Sequence, residues 1–287
     1  MSSQSTTSFA QSYKAGVESL VQQKASRLRE AVRVEAGVAG KYAYFDQIGA
    51  SSAVPRTSRH ADTPQIDTPH ARRRVAMTDY EWADLIDDQD RVRQLVELTS
   101  PYQMNGASAM GRAMDDVIIA SAFGTAYTGE TGATATAFDT AYSIASASAG
   151  MTIAKLLQAK ELLDAAENDP DEPRFVALSA KQMTNLLNTT EIKSADYNTV
   201  KALVQGDIDT FLGFKFIRTQ RLGTSSGARR CFAWRKSGLL LAIGKDITVK
   251  ITERPDKSYA TQVYLCMTLG ATRMQEQSIV EVLCTES

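Results

Sequence analysis

The sequence predicts an α+β fold, in which helices and mostly antiparallel strands follow one another without a regular strand–helix–strand repeat. One observation is a long helix in the first half of the chain, with a face rich in Met, Ala and Gly. A second is a group of shorter helices near the middle, and a third is a series of short apolar segments from Phe211 to Cys284 that are typical of strands. This mixture indicates the α+β class.

The N-terminal region begins with a Ser/Thr/Gln-rich tail, residues 1–7, that cannot form a core. Apolar residues then recur at helical spacing and predict an amphipathic helix. This helix either packs on its own domain or docks on a neighbouring subunit. Residues 34–44 are strand-like, and Gly37 and Gly40 interrupt them. The apolar residues of the predicted amphipathic helix are Phe9, Tyr13, Val17, Leu20, Val21 and Leu28.

Residues 51–75 form a Pro- and Arg-rich stretch with almost no apolar residues, which predicts a long loop that cannot bury itself. The charge then reverses to acidic around Tyr80 and Trp82, within residues 79–90. Opposite charges of this kind can pair within one chain or between copies, where they help to fix register. The predicted intersubunit contacts are Arg56, Arg59, Arg72, Arg73, Arg74, Glu81, Trp82, Asp84, Asp87 and Asp88.

The clearest helix is predicted over residues 101–123. Ser100 is a capping residue, Pro101 occupies the first turn, and Gly124 ends the helix. Residues 124–150 indicate weak strands and turns.

A second region begins near Thr152. A helix is predicted over 153–166, a buried strand over 175–178, and a helix to Leu187 that starts at a capping box of Ser179 and Gln182. Further predicted elements are a helix over 197–205 and strands around 211–216, 230–234, 247–252, 260–269 and 279–284.

Little in the sequence indicates catalysis. The net charge is −1, which does not favour a nucleic-acid-reading domain, and no phosphate-loop, dinucleotide, HExxH or GxSxG motif occurs. The only histidines, His60 and His70, lie in the long loop, where with Asp62 and Asp67 they could in principle bind a divalent metal. We expect solvated loop residues there instead, and no catalytic residue, metal or cofactor.

Two smaller features have structural interpretations. The neighbouring residues Asp115 and Asp116 do not face each other on a helix, so we expect an ion pair on the helix surface. Cys231, Cys266 and Cys284 are widely spaced and are expected to be reduced core thiols. The sequence also has no signal-peptide pattern and no apolar run of membrane-spanning length.

The order of these segments resembles the major capsid proteins of tailed bacteriophages, which have the Hong Kong 97-type fold. Residues 57–90 (TSRHADTPQIDTPHARRRVAMTDYEWADLIDDQD) resemble the extended loop of that family and its return, and residues 100–124 resemble its spine helix. Residues 175–188 and 201–222 are similar to its axial domain, and 234–251 with 259–274 to the final return of the chain.

The resemblance implies an N-terminal arm (1–35), an extended loop (36–78), a peripheral domain (79–151), an axial domain (152–222) and return strands (223–287). It implies self-assembly into pentamers and hexamers of an icosahedral head around double-stranded DNA. The expected partners are other copies, a portal, a separate scaffolding protein, a cement or decoration protein, and packaged DNA touched non-specifically on the inner face. The implied location is the virion, with assembly in the host cytoplasm and no membrane contact.

Some members of this family crosslink through a lysine in the extended loop, but no lysine lies between Lys41 and Lys155 here. Three alternatives stay open at this point. An encapsulin-like nanocompartment shell would share the fold and enclose a cargo enzyme. A metal-dependent hydrolase would use His60 and His70, and a nucleic-acid-reading module is the third and weakest alternative.

Overall fold

The computed structural model describes residues 22–60, 62–87, 99–166, 169, 171–188 and 210–286. Three sheets and three α-helices make up this part of the chain, and they confirm the α+β class. The helices are α1 (Thr99–Phe123), α2 (Ile153–Ala165) and α3 (Ala180–Leu187). The strands are β1 (Arg33–Ala36), β2 (Tyr42–Ile48), β3 (His70–Ala76), β4 (Thr78–Ile86), β5 (Ala126–Thr128), β6 (Thr134–Thr136), β7 (Ser143–Ile144), β8 (Arg174–Leu178), β9 (Thr210–Phe211), β10 (Phe214–Arg218), β11 (Thr224–Ser225), β12 (Ala228–Arg235), β13 (Leu239–Arg254), β14 (Ala260–Arg273) and β15 (Ile279–Thr285).

The long helix α1 packs its small and flexible residues on the first sheet. Met110, Met114 and Ile118 are buried along one face, as the spacing predicts. Gly106 lets the helix approach this sheet closely, since a Cβ there would come within 2.6 Å of the Trp82 ring. The helix ends before Gly124, whose N–H bonds back to the carbonyl of Ala120.

The first sheet has the order β1-β13-β14-β4 and covers one side of α1. Its two central strands are much longer than the sequence indicates, with 16 residues in β13 and 14 in β14. Both β13–β14 and β14–β4 are antiparallel, whereas β1 runs parallel to β13. The alternation along β14 turns Val263, Leu265 and Met267 into the core.

The second sheet has the order β7-β15-β12-β8-β10-β9 and carries the largest aromatic cluster. Trp234 is fully buried, stacks on Phe232 and Phe175, and donates its indole N–H to the Ala31 carbonyl at 2.9 Å. The pair β8–β10 is parallel. Strands before, within and after the predicted axial segment 152–222 all contribute to this one sheet.

The third sheet, β2-β3-β5-β6, lies at the root of the predicted extended loop. Strands β2 and β3 form an antiparallel hairpin from Tyr42↔Ala76 to Ile48↔His70. The irregular part of the loop is therefore 49–69. It ends at residue 69, whereas the sequence predicted a loop over 51–75. Arg72, Arg73 and Arg74 are strand residues, because their backbone groups pair with β2 and β5.

The N-terminal helix prediction is wrong for its last residues, and residues 9–21 lie outside the described part. Residues 22–28 are not helical, because Asp115 binds their polar groups. Its carboxylate accepts hydrogen bonds from the Ser26 hydroxyl at 2.6 Å and from the backbone N–H groups of Arg27 and Leu28 at 3.1 Å. A Cβ at Gly111 would lie 2.8 Å from the Ser26 nitrogen, so this glycine lets the segment cross α1.

The expectation of a surface ion pair is confirmed for Asp116, which binds Arg221, and is wrong for Asp115, which is fully buried. The helices α2 and α3 are confirmed, whereas the helix predicted over 197–205 lies outside the described residues. Ser179 caps α3 as predicted, but the Gln182 side chain does not complete a capping box; it instead binds the Met151 N–H and the Thr285 carbonyl.

Candidate subunit-contact surface

One face of the third sheet presents tyrosines and arginines alternately to solvent. Tyr42, Tyr44 and Tyr127 are each about two-fifths exposed, although tyrosine rings usually bury most of their surface. The Arg74 guanidinium lies 4.7 Å from the Tyr42 ring centre and 4.5 Å from that of Tyr127. Arg72 lies over Tyr44 at 5.8 Å. Cation–π contacts thus hold the side chains of this hairpin face in place.

Arg72 also pairs with Asp46 on the neighbouring strand, through its Nε at 2.5 Å and its Nη2 at 3.3 Å. This hydrogen bonding holds the pKa of Asp46 below its ordinary value and raises the pKa of Arg72. The pair is exposed at the edge of the shallow cleft that His70 and Glu130 also line. Arg72 is therefore already paired within the hairpin, with a carboxylate that lies outside the predicted acidic segment 79–90.

Arg73 points to the opposite face and is buried within its own subunit, which does not favour the contact with a neighbour that the sequence predicts. Its Nε donates to the Met274 carbonyl at 2.8 Å, and its Nη2 lies 3.3 Å from Glu276. Gln47 donates to the same Met274 carbonyl at 3.1 Å. Burial lowers the pKa of Arg73, Glu276 opposes that change, and Arg273 adds to it. These contacts fasten both strands of the hairpin to the turn after β14.

The loop tip, residues 49–69, is exposed along almost its whole described length. Arg56 contacts only its own turn, donating to the Ser58 carbonyl at 2.7 Å, and Arg59 is exposed. Apolar side chains are also open to solvent, with Ile48 71% and Val54 55% exposed. A loop with this exposure gains little stability from its own subunit and fits a role in contacting another chain.

The acidic segment is divided between the two sides of strand β4. Glu81 lies on the open side and accepts a hydrogen bond from the Tyr264 hydroxyl at 2.7 Å, which raises the pKa of that tyrosine. Trp82 and Asp84 face the helix side and are half-buried. The Trp82 ring packs on α1 and Leu265 within its own subunit, and its contact with a neighbour stays a prediction. Asp87 is exposed just after β4, and Asp88 lies outside the described residues.

The residues considered for other chemistry do not converge. Among the side chains that the structure describes, no three of His, Cys, Asp or Glu come together as a metal site. Cys231, Cys266 and Cys284 are free and buried, as expected. No helix in the described ranges is long and apolar enough to cross a membrane.

The sequence interpretation missed the contribution of tyrosines to this surface. Tyr42 and Tyr44 belong to a stretch in which every second residue faces solvent, and the same period of two separates Arg73 from its neighbours. Applying this period to residues 42–48 and 70–76 would have identified both the exposed tyrosines and the inward position of Arg73. The buried position of Arg73 depends on Glu276, which is distant in sequence.

A family model described as "Phage capsid protein" matches residues 5–286. No curated protein matches the chain. Solved structures with a similar fold include the capsid of Ralstonia phage GP4, with a TM-score of 0.77, 11% identity and 97% and 95% of the two chains covered. The capsid of the cyanophage P-SCSP1u has a TM-score of 0.74 and 16% identity, with 98% of this chain and 94% of that chain covered. The capsid asymmetric unit of cyanophage Pam1 has a TM-score of 0.69 and 14% identity, with 98% of this chain and 97% of that chain covered.

Proposed function

Since the chain belongs to the phage capsid protein family and has the Hong Kong 97-type fold, we propose that it assembles into pentamers and hexamers of an icosahedral head. It is a major capsid protein, and its place is the virion shell around DNA. The match to a phage family favours this role over a nanocompartment shell. The proposed assembly mode is supported mainly by the exposed loop 49–69. The β2–β3 hairpin from which it extends is held to its own subunit by hydrogen bonds to the Met274 carbonyl.

The division into arm (1–35), extended loop (36–78), peripheral domain (79–151), axial domain (152–222) and return strands (223–287) fits this role. The contacts from Gln47 and Arg73 to the Met274 carbonyl fix the direction of the hairpin, so that the loop reaches away from its own subunit. The shell is held without catalysis, and the absence of a lysine from 42 to 154 favours non-covalent cohesion.

The partners follow from the same role. Copies of the chain are the main partners, and a portal, a scaffolding protein and a cement or decoration protein complete the head. Contact with the packaged DNA is non-specific and weakens with salt, because it rests on phosphate charge. Assembly takes place in the host cytoplasm.

We place the loop arginines Arg56 and Arg59 of one copy near the acidic residues Glu81 and Asp87 of the next. All four are exposed, and head-to-tail contacts in a closed ring join two different patches of the chain. Arg72 and Arg74 support this surface from the hairpin, where Asp46 and the tyrosines already hold them. Asp84 adds negative charge to the same region, and Asp88 follows Asp87 directly in the sequence.

Reversing the loop charge tests this contact. We expect the double variant Arg56→Glu/Arg59→Glu to lower the yield of closed shells about tenfold or more, because like charges face each other across a repeated contact. The measurement is the fraction of full-length protein in the shell peak of a sucrose gradient, supported by negative-stain microscopy.

The compensating variant provides the control. Adding Glu81→Arg and Asp87→Arg to the double variant restores opposite charges and is expected to recover most of the yield. An unchanged shell yield for Arg56→Glu/Arg59→Glu contradicts the proposed contact. Failure of the compensating variant to recover assembly contradicts the assigned acidic partner.

A further inference from the structure

Lys155 is a buried cation in the first turn of α2, and only 7% of its surface is exposed. Its ammonium donates to four backbone carbonyl oxygens, those of Ser146 at 2.8 Å, Ala149 at 2.9 Å, Gly150 at 3.1 Å and Leu283 at 2.9 Å. An ammonium has three protons. Four oxygens at nearly equal distances therefore form a coordination shell of the kind in which backbone carbonyls bind monovalent cations.

The loop that supplies three of these oxygens has an unfavourable backbone conformation. Ala147 and Ser148 both have positive φ angles, 47° and 53°, in the left-handed region that residues with a Cβ rarely adopt. Conformations of this kind persist where surrounding contacts impose them, often around a bound group. In this loop they accompany the convergence of the carbonyls of Ser146, Ala149 and Gly150 on one point.

Close packing fixes the same loop from the other side. A Cβ at Gly150 would lie 2.1 Å from the Asn185 amide nitrogen and 3.1 Å from the Asn185 Cβ. The Met151 N–H donates to Gln182 at 2.8 Å, and the Thr285 N–H donates to the Ala149 carbonyl at 3.0 Å. The carbonyl shell thus joins the loop, α2, α3 and the end of β15.

The position of Lys155 is unfavourable for a charged ammonium, and the nearby thiols Cys284 and Cys231 offset part of the effect of burial on its pKa. A cation in the first turn of a helix opposes the helix dipole, and burial lowers the pKa of Lys155. The four carbonyl dipoles oppose both effects, because they bind the charged form.

We propose that residues 146–150 and Leu283 form a binding site for a monovalent cation, which the chain fills with its own Lys155 ammonium. The shell, rather than the lysine stem, then carries the specificity of the site. This inference is independent of the proposed assembly contacts. On this account the Lys155 ammonium links the last strand, β15, to the start of α2.

Chemical rescue tests the proposal on the full-length chain. Lys155→Ala removes the tethered ammonium from all four carbonyl oxygens, of which those of Ser146 and Ala149 keep a backbone N–H donor. We expect the melting temperature to fall by about 10 °C. Free ammonium fits the vacated shell and binds only the folded protein. Ammonium chloride at a few hundred millimolar is therefore expected to recover about a third of the loss or more.

Three controls define the outcomes. Tetramethylammonium chloride at the same ionic strength has no N–H donor and is expected to recover nothing. Lys155→Met fills the space with an apolar stem and is expected not to respond to ammonium. The wild-type protein is expected to respond equally to both salts.

Equal melting temperatures of Lys155→Ala in the two salts, after subtraction of the wild-type response, overturn the proposal. If Lys155→Ala does not accumulate as folded protein, the same comparison is made on its refolding yield from urea. A yield that is higher in ammonium than in tetramethylammonium supports the site, and equal yields overturn it.

Discussion

Replacing Asp115 by alanine is expected to destabilise the full-length chain by about 3–5 kcal/mol. The Asp115 carboxylate is fully buried and accepts hydrogen bonds from the Gln23 amide, the Ser26 hydroxyl and two backbone N–H groups. Removing it leaves the Ser26 hydroxyl and the two backbone N–H groups without this acceptor, while the Gln23 amide keeps the Ala25 carbonyl. Unpaired donors at a buried position cost more than the loss of exposed contacts. The measurement is urea denaturation of the unassembled protein, followed by Trp fluorescence.

The neighbouring residue supplies a matched control. Asp116 has the same chemistry, but it pairs with Arg221 where both side chains are partly exposed, so Asp116→Ala is expected to cost about 1 kcal/mol or less. Hydrogen exchange gives a second readout, because residues 22–28 should lose protection in Asp115→Ala alone. Equal destabilisation by the two variants contradicts the assigned role of Asp115.

Replacing Arg273 by methionine is expected to destabilise the protein by about 4 kcal/mol. Arg273 is fully buried, pairs with Glu276 at 2.5 Å, and donates to the carbonyls of Ala122 and Gly124 at 3.0 and 2.8 Å. It therefore satisfies the last carbonyls of α1, where a positive charge also complements the helix dipole. The variant leaves those carbonyls unpaired and Glu276 with Arg73 as its remaining cationic partner.

Arg254 is the control for this prediction, since it forms a similar two-point pair with Asp256 that is exposed at a hairpin end. Arg254→Met is expected to change the free energy of unfolding by about 1 kcal/mol or less. Differential scanning calorimetry of both variants makes the comparison. A loss for Arg273→Met no larger than that for Arg254→Met contradicts the account of α1 termination.

Local sequence signals predicted the elements that depend on local physics. The 101–123 helix follows from its apolar spacing and Gly124. Its observed bounds are Thr99–Phe123, so the prediction that Ser100 caps it is wrong, because Ser100 lies within the first turn. Ser179 caps α3 as predicted. Pairing between distant segments carries no such signal, so the parallel contacts of β8 with β10 and of β1 with β13 could not be predicted from their own residues.

The burial of individual charged residues was only partly predictable, for a related reason. Asp115 and Asp116 are adjacent and chemically identical, and only the path of residues 22–28 across α1 distinguishes the buried carboxylate from the exposed one. Consecutive strand residues point to opposite sides, so Arg73 separates from Arg72 and Arg74. That division follows from the sequence only after the loop boundary is placed at His70.

The central claim, that the chain builds a shell from its own copies, is tested most directly by negative-stain electron microscopy of the full-length protein. The protein is purified by size exclusion and imaged over a series of concentrations with a crowding agent. Our account predicts rings of five or six copies and closed shells tens of nanometres across. Single copies or dimers throughout the series, with no rings in class averages even when the scaffolding protein of the same phage is added, would contradict it.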